Sequence, residues 1–176
     1  TEKTKPHNGG TLIYGEGRTA YMKFDLSSLP GQVNKAELRV TNWKTDRNTT
    51  EVHYEADDAW SEGTLLYPAS GDPVLGPVVN TFTLGAKDAA GTGVVDLTAP
   101  VQAELLGDKL LSLSFSNVAG TRYASEIHSK DSTSADKRPY LELSLNQIVD
   151  AKLQDKYDRI IGAANELLSF AAAGTQ

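Results

Sequence analysis

Several cationic side chains and one tyrosine fall at outward positions of predicted strands, or beside them, where a ligand could reach them. Arginine grips a carboxylate with two parallel hydrogen bonds, lysine supplies a compact charge, and tyrosine offers a flat face to a sugar ring. Outward cations on strands also serve solubility alone or guard sheet edges. The candidate binding residues are Lys23, Arg39, His53, Arg122, His128, Lys130 and Tyr21.

The positions of these candidates favour a polyanionic ligand if their strands are neighbours. Should the strands that carry residues 23, 39, 53 and 128 lie in one sheet, their side chains would form a cationic stripe on an acidic protein. In the alternation of their strands, His53 and His128 both fall at outward positions, which argues against a place in the core. Near neutral pH they would be mostly uncharged unless carboxylates hold their protons.

Two tryptophans and two acidic groups allow further interpretations. Trp43, at a strand end beside Lys44, could stack on a sugar or be half-buried, with packing the favoured alternative. Trp60 is expected to plug one end of the fold. A structural calcium ion would need oxygen ligands, but the carboxylates show no EF-hand-like spacing, so no ligand is assigned and turn or cap roles are favoured. The two groups are Asp57, Asp58 and Glu62, and Asp131, Asp136 and Glu126.

Composition narrows the functional class. The chain has 176 residues, no cysteine and a net charge of −6, which excludes thiol chemistry and argues against general nucleic-acid binding. No segment is apolar and long enough to span a bilayer. The three histidines lie in no recognisable nucleophile, zinc or phosphate-loop motif. Because the chain lacks an initial Met and a signal peptide, we expect a mature or excised piece of a larger secreted protein.

Alternating apolar and polar residues predict strands along most of the chain. In RTAYMKFDLSSLPG, Met22 and Phe24 face a core while Tyr21 and Lys23 face outward. The same alternation recurs in about eight short segments, which indicates an all-β sandwich over residues 1–146. A short helix is expected at APVQAELLG, capped by Thr98. Residues 147–176 form a second region, in which the spacing over 147–173 predicts an amphipathic helix.

An ordered series of motifs extends this interpretation. YMKFDLSSLPG, NKAELRV, VHYEADDAWSEGTL, VVDLT, LSLSFS and HSKDSTSADKRPYLEL occur in this order. Over residues 11–145 the series resembles the DNRLRE-type domain, which is also carbohydrate-binding module family 96. One departure is that members usually carry a further strand with an Asp before GGTLIYGEG, where this chain has a polar arm.

The resemblance implies a jelly-roll sandwich from a secreted bacterial protein that binds alginate or a related polyuronate beside a polysaccharide lyase. The predicted C-terminal helix would then be a linker or a lead-in to the next domain. Replacing Lys23 and Arg39 by alanine is expected to weaken retention on alginate without unfolding. Two alternatives remain. A spacer domain would have scattered cations paired with Glu or Asp, and a lyase would use Tyr21 or His53 as a base with Arg39 or Lys23.

Overall fold

The structure is a computed structural model, and it describes residues 9–29, 31–62 and 74–145. The predicted helix over 147–173, most of the N-terminal arm and part of the predicted loop over 68–77 lie outside these ranges. The described strands are β1 (Thr11–Tyr14), β2 (Ala20–Asp25), β3 (Val33–Val40), β4 (Thr49–Glu55), β5 (Val78–Thr83), β6 (Gly93–Asp96), β7 (Leu110–Asn117), β8 (Ser125–His128) and β9 (Tyr140–Leu145). Helix α1 spans Thr98–Leu106, and a 3-10 turn spans Ala135–Lys137.

The first layer of the fold is an antiparallel sheet in the order β2-β7-β4-β5. Its inner face is apolar because alternate residues of each strand point the same way. Met22 pairs with Leu113, and Phe115 pairs with Val52 on the next strand. These side chains are buried in the main core, as the alternation predicts.

The second layer is the antiparallel sheet β6-β3-β9, extended by the pair β1-β8. An isolated bridge between Asn42 and Ile127 joins this pair to the chain just after β3. Its backbone bonds run from Trp43 N to Glu126 O (2.8 Å) and from His128 N to Thr41 O (2.9 Å). Strands β8 and β9 therefore follow each other along one edge of β3.

The apolar faces of the two layers supply one hydrophobic core, and helix α1 contributes Val101 and Leu105 to it. The predicted all-β sandwich of antiparallel sheets is thereby confirmed. The alternation in YLELSLN predicts that Leu141, Leu143 and Leu145 all face the core, and Leu145 departs from this, since 43% of it is exposed at the end of β9. In the part of the chain that the structure describes, none of the helices has the length and apolarity needed to cross a membrane.

The start of α1 also differs from the prediction. Thr98 is the first helical residue, and the preceding Leu97 makes no side-chain cap bond. The Thr98 hydroxyl instead donates to Asp96 Oδ1 (2.6 Å) and accepts a bond from Ala36 N (3.0 Å). Thr98 thus links the helix to β3 and β6. Its hydroxyl bonds to Ala36 and Asp96 on these strands and not to the free N–H groups of the helix.

Candidate functional site

The outer face of the first layer carries three of the predicted binding residues. Tyr21 and His53 lie in one row of the sheet with Ser114 between them, and Lys23 lies in the next row beside Ser112. Both serines are fully buried although they point away from the core. This face is therefore covered, and the bonds below show that residues 58–60 and Gly76 cover it.

Lys23 holds the first covering segment. Its Nζ donates to the backbone oxygens of Asp58 (2.6 Å) and Trp60 (2.8 Å) and lies 4.4 Å from the centre of the Trp60 ring. The Ser112 hydroxyl donates to the Asp58 carboxylate. Lys23 thus contacts three groups of its own chain, and these contacts alone explain why a lysine stands at this outward position.

Trp60 lies over the outer face of the first layer, against Lys23 and Tyr21, rather than at one end of the sandwich, so the prediction of an end plug is wrong. Its ring centre lies 5.7 Å from that of Tyr21, with the planes tilted by 59°. Burial, and then the nearby charge of Glu55, raise the pKa of Tyr21. Tyr21 therefore supports Trp60 and remains neutral at physiological pH.

His53 is only 6% exposed, so the expectation that an outward histidine is accessible is wrong. Its Nδ1 bonds to Gly76 O and its Nε2 to the Ser116 hydroxyl, both at 2.9 Å. Gly76 can approach this closely because it has no side chain: a Cβ there would lie 1.8 Å from the backbone oxygen of Tyr54. His53 consequently anchors residues 74–77 to the sheet.

Arg39 lies on the outer face of the second layer. Its guanidinium bonds to Glu142 (2.8 Å) and Glu37 (2.9 Å), on β9 and on β3 itself. It pairs across the ladder with Tyr140, which is an exposed aromatic. Gly91 fits against both residues, since a Cβ there would lie 3.1 Å from the Tyr140 hydroxyl. Arg39 therefore shares the outer face of the second layer with an exposed aromatic side chain.

His128 is 2% exposed and lies at the end of β8, in the pair β1-β8. Its Nδ1 bonds to the Ser132 hydroxyl (2.9 Å) and its Nε2 to Asp88 (3.1 Å). Asp88 also accepts a bond from Lys137 Nζ at 3.0 Å. The bonds from Lys137 and then His128 lower the pKa of Asp88, because both stabilise the carboxylate. The expected accessibility of His128 is therefore wrong as well.

Trp43 rests edge-on against His128 and is 43% exposed. The two ring centres are 4.9 Å apart, with the planes at 70°. Lys87 Nζ lies 5.9 Å from the centre of the Trp43 ring, and Lys44 Nζ is 3.6 Å from Glu126. We call this surface the Trp43 face and define it by Trp43, Lys44, Lys87, Arg39 and Tyr140. It offers flat apolar rings beside cationic groups.

The two remaining candidates lie at turns. Arg122 stands 5.4 Å from the ring centre of Tyr123, and both side chains are exposed. Lys130 Nζ bonds to Asp131 (2.9 Å) and to Glu62 (3.1 Å), which raises its pKa. Arg122 and Lys130 lie outside the described strands, so neither extends the predicted cationic stripe.

The topology therefore does not form the predicted single stripe. Lys23 and His53 belong to the first layer, Arg39 to the β6-β3-β9 sheet and His128 to the β1-β8 pair. No single sheet carries all four side chains, and two of them, His53 and His128, are buried. Whether any one of them touches a ligand stays a prediction.

The described carboxylates do not assemble a metal site. Within residues 9–29, 31–62 and 74–145 no three His, Asp or Glu side chains come together as metal ligands. Asp57 accepts a bond from Ala59 N (2.9 Å), and Asp58 accepts from Ser112. These are the turn and loop roles that sequence analysis favoured over calcium.

Lys87 and Tyr140 of the Trp43 face were missing from the predicted set. Tyr140 could have been included, because it is the outward residue before the inward Leu141 in the motif RPYLEL. Lys87 had no such signal, since it lies in a turn more than forty positions from Trp43. Only the fold brings it above that ring.

Comparison with known proteins agrees with the architecture. The sequence profile of carbohydrate-binding module family 96 matches residues 5–145. None of the curated proteins compared with the chain matches it. The matched range holds all the described strands and makes up most of the chain. By this match, which confirms the resemblance seen in its motifs, the chain belongs to carbohydrate-binding module family 96.

Proposed function

We propose that this carbohydrate-binding module binds acidic polysaccharide, specifically alginate, at the Trp43 face and holds an attached polysaccharide lyase against that substrate. Membership of the family makes polysaccharide binding its role, and such families are typically non-catalytic. The choice of alginate, the site and the attached lyase are our proposals. So is secretion from a bacterium, which places the module where the polymer is found.

The observation that carries the proposal is the exposed ring of Trp43 with a lysine above it. An exposed indole held by a buried histidine presents a flat apolar surface that is already fixed in position, so little entropy is lost when a sugar stacks on it. Lys87 Nζ, 5.9 Å from the ring centre, can meet the carboxylate of a sugar that lies on the ring. An aromatic platform with a nearby cation suits a uronate better than a neutral sugar.

The face carries two combinations of cation and ring, one on each side of a covered position. Trp43 and Arg39 are four residues apart, which corresponds to at most about 13 Å at roughly 3.3 Å per residue. Thr41 between them is buried beneath Gly91, whose N–H donates to the Thr41 hydroxyl at 2.9 Å. Arg39 and Tyr140 repeat the combination of cation and exposed ring at that distance. A polyuronate repeats one carboxylate per sugar, so two such combinations along one line favour a polymer over a single sugar.

The paired cations do not prevent this role. Arg39 bonds to Glu142, whose side chain is 56% exposed, and exposed ion pairs contribute only about 0–1 kcal/mol. A ligand carboxylate can therefore replace Glu142 at small cost. The spacer alternative does gain from these pairs, because Lys35, Arg39, Lys130 and Lys137 each have an acidic partner.

Affinity electrophoresis in gels that contain alginate or a neutral glucan tests the proposal. Wild-type protein should be retarded by alginate and not by the glucan, and added salt should weaken the retardation because charge pairing is screened. Trp43→Ala should lower the affinity about tenfold or more, as expected for an aromatic contact at the centre of a binding surface. Lys87→Gln should lower it several-fold.

Lys109→Gln is the matched control, since it removes the same charge at the turn before β7. Retention that is equal in wild type, Trp43→Ala and Lys87→Gln would exclude the Trp43 face. Unretarded migration of the wild type in every acidic polysaccharide would favour the spacer alternative. Release of unsaturated products from alginate would show instead that the chain is itself a lyase.

A further inference from the structure

A depression that contains none of the residues of the Trp43 face lies at the end of the first layer, where β7 ends. Two turns, residues 15–19 and 116–121, enclose it together with the side of Leu75. The cavity has a volume of about 310 Å³. Small-ligand pockets span roughly 300–1,000 Å³, so this depression, which opens to solvent, has room for a small ligand such as one or two sugars.

The first turn of the pocket is built to keep one shape. Gly15 and Arg18 exchange backbone bonds of 2.9 and 3.1 Å, and Glu16 and Gly17 between them both have positive φ, as in a type I′ turn. A Cβ at Gly15 would lie 2.4 Å from Asn117 Nδ2, so glycine allows the two turns to touch.

The second turn is held by the same asparagine. Asn117 donates to the backbone oxygen of Tyr123 (2.8 Å) and accepts from the Ser125 hydroxyl (2.7 Å). Thr121 closes the turn with bonds to the backbone oxygen of Val118. Both walls are therefore fixed before any ligand arrives, which lowers the entropy lost on binding.

The cationic side chain in the pocket, Arg18, has only a long contact with its acidic neighbour Glu16. Among the described residues that line the pocket, Arg18 is the one cationic side chain and Glu16 the one acidic side chain. The two are 3.5 Å apart, and both side chains are nearly half exposed. Arg39, in comparison, bonds to Glu142 at 2.8 Å. A carboxylate that offers two parallel hydrogen bonds would be a stronger partner for the Arg18 guanidinium than the present contact. Leu75 and Val118 supply apolar wall for the carbon face of a sugar ring.

We propose that this pocket binds one or two uronic acid residues of an acidic oligosaccharide, with Arg18 pairing with a sugar carboxylate. The choice of a uronate rests on the function proposed above. The pocket has room for one or two sugars between its two turns, whereas the Trp43 face carries two separate combinations of a cation and an aromatic ring. The module would thus hold a short oligosaccharide at one site and a longer stretch of polymer at the other. Binding at both sites on one protein would raise its retention on partly degraded polymer.

The test is an amide-resolved NMR titration of the whole chain with a mannuronate or guluronate disaccharide, followed by a titration with alginate polymer. The disaccharide should cause saturable shifts confined to residues 15–19 and 116–121. Arg18→Gln removes the charge and keeps a shorter polar side chain, and it should weaken disaccharide binding about tenfold. Lys109→Gln, at the other end of β7, should leave it unchanged. A disaccharide of neutral glucose should cause no saturable shifts.

The outcomes separate this proposal from the preceding one. Disaccharide shifts that occur only around Trp43, or equal affinity in wild type and Arg18→Gln, would overturn the pocket and leave the Trp43 face standing. Saturable binding at the pocket without any affinity for polymer would support the pocket and overturn the Trp43 face. Absence of binding by both ligands would overturn both proposals.

Discussion

Replacing Lys23 by methionine should destabilise the protein although the side chain points away from the core. The variant keeps the aliphatic stem and removes the charge that bonds to the backbone oxygens of Asp58 and Trp60 at 2.6 and 2.8 Å. Hydrogen bonds to charged groups contribute about 1.5–3 kcal/mol each, and a cation over an aromatic ring about 0.5–1 kcal/mol. Because Lys23 is half-buried and water replaces part of these contacts, we expect a loss of about 2–3 kcal/mol.

Urea unfolding followed by circular dichroism measures this loss directly. In a thermal melt it corresponds to a decrease of roughly 5–10 °C for a domain of this size. Lys35→Met is the control, because Lys35 pairs with Glu37 in an exposed position that should contribute about 0–1 kcal/mol. In a Trp43→Phe background, Trp60 fluorescence should also become easier to quench as the covering segment loosens.

A free energy of unfolding within 0.5 kcal/mol of that of the Lys35→Met control would refute the argument. It would mean that the bonds to Asp58 and Trp60 contribute little in solution. A stable Lys23→Met variant with lost alginate retention would go further. It would support the original expectation that Lys23 touches the polysaccharide.

Three further predictions concern pH and the covered face. Burial raises the pKa of Tyr14 to about 12, so the stability that its neutral form contributes should be lost as pH rises from about 10 to 12. Tyr14→Phe should be less stable at pH 7, since it lacks the 2.8 Å bond to Thr50, and should show a smaller alkaline decrease in melting temperature. Lys137 and His128 lower the pKa of Asp88, so Asp88→Asn should melt below wild type at pH 7, and the difference should shrink as pH falls below about 4; a difference that is constant with pH would contradict this. Gly76→Ala should lower the melting temperature by several degrees, because its Cβ would overlap the backbone oxygen of Tyr54; an unchanged melt would show that residues 74–77 reposition freely.

The alternation of residue types predicted the direction of side chains well. Met22 and Phe24 face the core and Lys23 faces away, as expected for a strand with period two. Alternation reports which side of a sheet a residue takes, but it does not report what covers that side. Ser114 and His53 point outward as predicted and are buried all the same. The covering residues come from a loop that no periodicity describes.

The candidate site was harder to predict because it depends on contacts between distant parts of the chain. Whether Lys23 and Arg39 share a sheet is decided by strand order, and the strands alternate between layers from β1 to β4 and again from β5 to β8. Lys87 reaches Trp43 only because residues 86–92 fold back along β3, where Asp88 N bonds to Asn42 O. Such contacts leave no trace in a local pattern of hydrophobicity.

The pairing of the central strands has a consequence for how the protein is made. Leu38 on β3 pairs with Leu141 on β9, and Met22 on β2 pairs with Leu113 on β7, so both ladders join segments about ninety to a hundred residues apart. Closing such long loops gives a high contact order, for which folding in milliseconds to seconds is typical. During synthesis, β3 must wait for β9 to leave the ribosome before that edge is paired. At about 5–20 residues per second, the edge of β3 that pairs with β9 stays without its partner for several seconds or more, and a chaperone that shields this edge would raise the yield.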